Sequence, residues 1–188
     1  MAGDAEATRR RLLDAAAREF AEHGIAGARV DRIAAAARSN KAQIYHYFTS
    51  KDGLFDAVLR ELAEAILRDA PIDATDLPGY AGRLFDRFAD DPVSARLANW
   101  YQLERAGGKA TVDLVVASTT DKVAAVAKAQ ADGLIPDHFA PVDLLALVVH
   151  LASLWHSVTP EVGDLTAEHT RAHRRQVVVD AVSALVRD

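Results

Sequence analysis

Cysteine is absent from the 188 residues of this chain. Disulfides, thiolate metal sites and a cysteine nucleophile are thereby excluded. The absence suits a reducing compartment, and a cytoplasmic location is expected. Long apolar runs are also missing. The longest stretch, around Leu144–Trp155, follows Asp143 and is broken by His150. It is too short and too polar for the roughly 20 helical residues that cross a bilayer, so no membrane partner is expected. The start, Met1–Glu6, has neither the basic residues nor the apolar stretch of a secretory signal. There is no glycine-rich phosphate loop, no HExxH and no evident Ser/His/Asp set. No cofactor and no enzymatic activity are therefore expected. β-Branched runs are few, and no strand alternation persists.

Apolar residues make up 50% of the chain, enough for a real core, and 38 residues are alanine. Alanine is the best helix former, so the expected fold is all-α. Charge is unevenly spread. Residues 1–60 hold ten Lys/Arg and eight Asp/Glu, or +2, whereas the remainder holds twelve against nineteen, or −7. Within 29–51, Arg29, Arg32, Arg38, Lys41 and Lys51 face Asp31 alone, which gives +4. A local basic segment on an acidic chain points to one anionic partner at one end; a solvated face is the bland alternative.

Leu12, Leu13, Ala16, Phe20 and Ala21 recur at helical spacing, and this helix should end at His23-Gly24 with a left-handed glycine. A short helix is expected over Val30–Ala37 and another over Lys41–Tyr47, capped by Asn40. Thr49 and Ser50 compete to cap a fourth, which stops at Pro71. Further helices should cover Pro78–Ala89, Pro92–Arg105 (closed by Gly107-Gly108), Thr111–Asp132, Pro141–Val158 and, capped by Thr166, Ala167–Arg187. The total is about nine.

The second and third helices are joined by a tight turn among basic residues. Ile33, Ala34, Ala37 and Ile44 supply an apolar inside, leaving Lys41, Ala42, Gln43, Tyr45 and His46 to face outward. A helix-turn-helix would place the later helix in a major groove. Pattern alone leaves that reading and an ordinary αα-hairpin both open.

The residues also carry a resemblance. Ile44-Tyr45-His46-Tyr47-Phe48-Thr49-Ser50-Lys51-Asp52-Gly53-Leu54-Phe55, with Phe20–Gly24 and Ile33-Ala34 upstream, resembles the DNA-binding domain of the TetR family of transcription regulators. The stretch matches the family's LYHYFxSKexLf signature at nearly every place. The resemblance implies an N-terminal three-helix DNA-binding domain over 1–50. It implies a C-terminal helical domain over 51–188 that dimerises and holds a small effector, with the helix 51–70 connecting the two. Double-stranded DNA, a second copy of the chain and an unidentified small molecule are the partners it implies. The implied DNA-binding set is Arg29, Lys41, Gln43, Tyr45, His46, Tyr47 and Lys51, and Arg38 and Asn40 of the turn are expected to bind DNA beside it. Gln43 can pair bidentately with adenine, and Lys41 can reach guanine or phosphate. Tyr45 and Tyr47 also read as packing aromatics. The chain departs from the family in the turn, where Arg38-Ser39-Asn40 stands for the usual Gly-Val-Ser. Losing glycine at a left-handed position costs on the order of 1 kcal/mol.

In the remaining two-thirds, Phe85, Phe88, Trp100, Tyr101, His150 and Trp155 are candidate effector contacts, with core filling as the alternative for each. His150, Ser153 and Ser157 form a polar stripe that needs partners if buried. Leu144, Leu147, Val148 and Leu151, with Val178, Val182 and Leu185, are more apolar positions than one protomer need bury, and are the candidate dimer interface. His169 and His173 have a spacing that metals use, but arginines surround them and no third ligand is evident, so no metal is expected. The reading is a homodimeric one-component regulator: a repressor that binds a palindromic operator and is released by a small molecule. A small all-α metal-binding or enzymatic protein, using the C-terminal His and aromatic residues, is the alternative.

Overall fold

The computed structural model describes residues 2–105 and 111–187. Among them the chain is all-α: α1 (Ala2–Gly27), α2 (Val30–Ala36), α3 (Lys41–Phe48), α4 (Lys51–Asp69), α5 (Leu77–Asp90), α6 (Pro92–Arg105), α7 (Asp113–Ala131), α8 (Pro141–Ser153), α9 (Pro160–Leu165) and α10 (Arg171–Leu185). The expected closure of α6 by Gly107-Gly108 lies outside the described residues.

Local chemistry accounts for most boundaries. The Asn40 side chain accepts from the Gln43 N–H at 3.0 Å and starts α3. Asp76 does the same for α5 through Gly79, at 2.9 Å, and Pro92 and Pro141 open α6 and α8. Ser50, not Thr49, caps α4: its hydroxyl accepts from the Gly53 N–H at 2.9 Å. The single helix expected from Pro141 to Val158 is shorter. It ends at Ser153, a 3-10 turn covers Leu154–His156, and α9 starts at Pro160. Thr166 ends α9 instead of starting the last helix. Thr170 takes that role, its hydroxyl accepting from the His173 N–H at 3.1 Å. The chain thus has ten α-helices among the described residues instead of about nine.

The helices sort into two compact units. One takes in α1–α3, most of α4, and α6; the other takes in the end of α4, α5 and α7–α10. The division falls inside α4, and α6 belongs with the first unit. In that unit Phe20 and Phe55 meet edge to face at 5.1 Å, over buried Leu12, Leu13, Ile33, Ile44 and Leu54. α6 joins it through Trp100. The indole stands 2.7 Å from where a Cβ on Gly24 would lie, and its N–H donates to the Ala21 carbonyl at 3.2 Å. Gly24 has φ 64° and ψ −177°, a positive-φ backbone kept to glycine but not the left-handed C-cap expected there, and it also makes room for tryptophan. Beyond it α1 continues, kinked, to Gly27. In the second unit α5 packs against α8 and α10. Tyr80, Leu84, Phe85, Leu144, Val148, Val178 and Val182 form the centre of that core.

Candidate nucleic-acid interface

The turn between α2 and α3 is a Schellman closure. The Arg38 N–H donates to the Ala35 carbonyl at 3.1 Å and the Ser39 N–H to the Ala34 carbonyl at 2.9 Å. This places Arg38 at φ 51°, the left-handed position where glycine is favoured. Arg11 on α1 completes the turn by donating from Nε to the Ala37 carbonyl at 3.3 Å. At the other end of α3, Thr49 has φ 66° and ψ −42°, and the Ser50 N–H donates to the Phe48 carbonyl at 2.7 Å. That is the strained, positive-φ γ-turn, rare for a β-branched residue. Arg38 and Thr49 are the non-glycine residues with positive φ among those described, and they bracket α3. Each such backbone costs about 1–3 kcal/mol and persists only where its surroundings hold it.

α3 buries Ile44 and Phe48 and leaves Lys41, Ala42, Gln43, Tyr45 and His46 exposed. Tyr45 is 50% exposed, unusual for an aromatic. Asn40 and Arg38 are exposed beside this row. Ser39 donates its hydroxyl to Gln43 Oε1 at 2.8 Å, which orients the amide. Lys41 pairs with Asp31 at 2.5 Å. Arg29 is exposed, with its guanidinium 4.0 Å from Asp31. Its backbone N–H donates to Glu19 at 2.8 Å, and Arg32 binds the same carboxylate at 2.6 Å. Burial pushes the Glu19 carboxyl up, but the hydrogen bonds from Arg32 and the Arg29 N–H, with the charges of Arg32 and His23, outweigh it and lower the pKa. Glu19 thereby anchors the start of α2. Two residues of the expected set point into the fold. Lys51 donates to the Ala28 carbonyl at 3.2 Å, and the Tyr47 hydroxyl donates to the Ala5 carbonyl at 3.3 Å.

The expected effector contacts divide between the two units. Trp100 and Tyr101 sit on α6 in the first unit, whereas Phe85, Phe88, His150 and Trp155 belong to the second. Phe85 and Phe88 are buried. His150 is exposed, with Nδ1 2.8 Å from the Ala146 carbonyl, and Ser153 and Ser157 donate to carbonyls one turn back. The polar stripe is therefore satisfied within its own helix and turn. Trp155 lies under the Arg174 guanidinium, 5.2 Å from it, and donates to the Arg174 carbonyl at 3.1 Å. The His169 and His173 rings meet edge to face at 4.4 Å. No group of three or more His, Cys, Asp or Glu among the described residues is arranged to hold a metal.

The expected dimer set needs correction. Leu144, Val148, Val178 and Val182 are at most 1% exposed within one chain, so they have no surface to offer a partner. They face the intramolecular seam of α5, α8 and α10. Leu151 and Leu185 are half-buried against the same core. Leu147, at 38%, is exposed, with Val142 at 53% and Ala146 on the same side of α8.

Residues 12–58 match the model of the bacterial regulatory proteins, tetR family, and residues 76–183 match the tetracyclin repressor-like C-terminal domain. The chain belongs to the TetR family of transcription regulators. It is 41% identical over 165 residues to the HTH-type transcriptional repressor SCO4008 of Streptomyces coelicolor, across 85% of this chain and 83% of that one. Among solved structures it is similar to the putative transcriptional regulator SCO4942 of Streptomyces coelicolor. There the TM-score is 0.84 at 40% identity, over 95% of this chain and 98% of that one. AibR in complex with isovaleryl coenzyme A and operator DNA shares the fold, with TM-score 0.72 at 18% identity, over 93% and 97% of the chains.

In this TetR-family regulator, α2 and α3 are the helix-turn-helix. Sequence reasoning missed three of its supports. Arg11 sits on the first helix like any solvated arginine, and nothing in its neighbours signals a bond to residue 37. Thr49 gave no signal, because β-branched residues argue against positive φ. Gly53 was readable only as part of the signature; a Cβ there would lie 2.2 Å from the Phe48 carbonyl that the γ-turn directs toward it. No described helix is long and apolar enough to cross a membrane.

Proposed function

We propose that this chain is a homodimeric one-component repressor that binds a palindromic operator through α3 and is released by a small-molecule effector. The observation that carries the reading is the exposed row of Lys41, Gln43, Tyr45 and His46 on a short helix held at both ends by left-handed, non-glycine backbone. Strain at these two points suits a fixed presentation of α3, and a fixed helix can enter a major groove in one register. Gln43 reads a base edge, and Lys41 exchanges Asp31 for guanine or phosphate. Arg29, Arg38 and Asn40 hold the backbone, and Tyr45 packs against the sugar-phosphate or a thymine methyl. Tyr47 and Lys51 act by fixing α3 and the α1–α2 connection. The exposed side of α8, where Val142, Ala146 and Leu147 lie among Asp143 and His150, supports pairing of two copies there, in place of the buried positions. Two-fold pairing sets the helices roughly 34–36 Å apart, one helical turn of DNA, and an effector works by changing that distance. AibR, a neighbour in fold, forms a complex with isovaleryl coenzyme A and operator DNA.

Selection of duplexes from a random pool by the full-length protein tests the reading. An inverted repeat with two equal half-sites is the expected outcome. Enrichment of no common sequence, or of a single unpaired site, would overturn it.

A further inference from the structure

The second unit contains a cleft of about 270 Å³ where the end of α4 and the following segment meet the first half of α7. Leu67, Ile72 and Leu114 supply apolar wall, and Ser118, Asp121 and Lys122 supply the polar groups. Ser118 is buried and Asp121 is exposed at the rim. Lys122 is half-buried, and burial holds its ammonium below the ordinary lysine range. Among the described residues no carboxylate pairs with it. Asp121 is its chain neighbour, and adjacent residues on a helix do not face each other. Lys128 on the same helix shows the usual arrangement: it is exposed and paired with Asp132 one turn on. A half-buried cation against an apolar wall has given up part of its hydration, which an arriving anion offsets.

We infer that this cleft binds a small organic carboxylate, its anion on Lys122 and its apolar body against Leu67, Ile72 and Leu114. The volume is just below the usual range for ligand sites, which restricts the body to a short chain or one ring. None of the expected effector contacts lines this cleft. Its role as the effector site rests on the repressor reading. The carboxylate binding itself does not. α4 carries Leu67 near one end and Lys51 at the other, so its residues are shared between the two units.

Calorimetry on the full-length protein tests the site with butanoate, hexanoate, octanoate and benzoate, each against the alcohol of the same carbon skeleton. At least one acid should bind roughly tenfold more tightly than its alcohol, the worth of a charge-assisted hydrogen bond. Lys122→Met should erase that preference while the alcohol still binds, and Lys122→Arg should keep it within a few-fold. The same acid should weaken the wild-type complex with its selected duplex and leave the Lys122→Met complex unaffected. No acid preferred over its alcohol, or a preference that survives Lys122→Met, overturns the inference even if DNA binding is intact. Acid binding through Lys122 in a protein that binds no duplex keeps the site and sinks the repressor reading. Acid binding without an effect on duplex affinity keeps the site and contradicts its effector role.

Discussion

The α2–α3 hairpin and the α8–α10 pair are both amphipathic helix pairs, yet only the first shows in its sequence which side faces out. On α3 the outward side carries Lys41, Gln43, Tyr45 and His46 and the inward side Ile44 and Phe48. Polarity and position coincide there. On α8, Leu144, Leu145 and Val148 are buried while Val142 and Leu147 on the same helix are exposed. Composition cannot separate a side that meets the protomer's own core from one that meets a partner, because both are apolar. The lesson is that periodicity locates a helix, but only a polar contrast orients it.

The comparison breaks hardest at α8 and α10. Val182→Asp puts an unpaired charge in the core of the second unit, an error worth several kcal/mol. It should collapse helicity and solubility. Leu147→Glu changes an exposed position and should leave a folded, helical monomer with operator affinity lost. Circular dichroism with sedimentation velocity separates the two; a folded Val182→Asp dimer would contradict the core placement. Next in size is Gly24→Ala, which forces a Cβ into the Trp100 ring and leaves alanine at φ 64°. Its loss should exceed the on-the-order-of 1 kcal/mol positive-φ penalty. Trp100→Phe removes the indole bond to Ala21, about 0.5–1.5 kcal/mol, together with part of the ring that fills the space beside Gly24. Denaturant midpoints rank the two.

The arrangement of α1–α7 was largely legible because caps, prolines and glycines mark their ends. Asn40 and Pro92 act where the pattern places them, whereas the Asp76 cap and the kink at Gly24 were not read from it. The 3-10 break after Ser153 carries no such mark: Leu154-Trp155-His156 continues a helical pattern, and only tertiary context ends it. The candidate site divides similarly. The outward row of α3 was readable. That Lys51 and Tyr47 bond inward was not, since phosphate contact and carbonyl capping ask for the same donors. Trp100 reads as a C-terminal aromatic until Gly24, 76 positions earlier, is seen to leave room for it.

Arg38→Gly sharpens the contrast on the hairpin. Relief of left-handed strain should stabilise the fold by about 1 kcal/mol, while loss of the guanidinium weakens all duplexes and lowers the salt slope by about one. Stabilisation without any loss of DNA affinity would show Arg38 to be a turn residue only. The smallest effect is in acid. The two tryptophans fall one in each unit, so Trp100→Phe and Trp155→Phe variants report the units separately. Burial, then the charge of Arg174, lowers the His156 pKa from 6.5. The unfolded chain therefore takes its proton first, and the second unit loses stability as pH falls below about 6.5. Glu19 is also lowered, from 4.5. The stability it gives the first unit is present above that value and is lost only as pH falls through it. Trp155 fluorescence should shift before that of Trp100 on acidification, and the reverse order would contradict this assignment.

The most direct test of the central claim, that the exposed row of α3 reads the operator, is binding of Gln43→Ala to the selected inverted repeat and to random duplex across a salt series. The account expects a loss of roughly 1–3 kcal/mol per bidentate contact on the selected site, little change on random DNA, and an unchanged salt slope. An equal loss on both duplexes, or a site preference identical to that of the wild type, would contradict it.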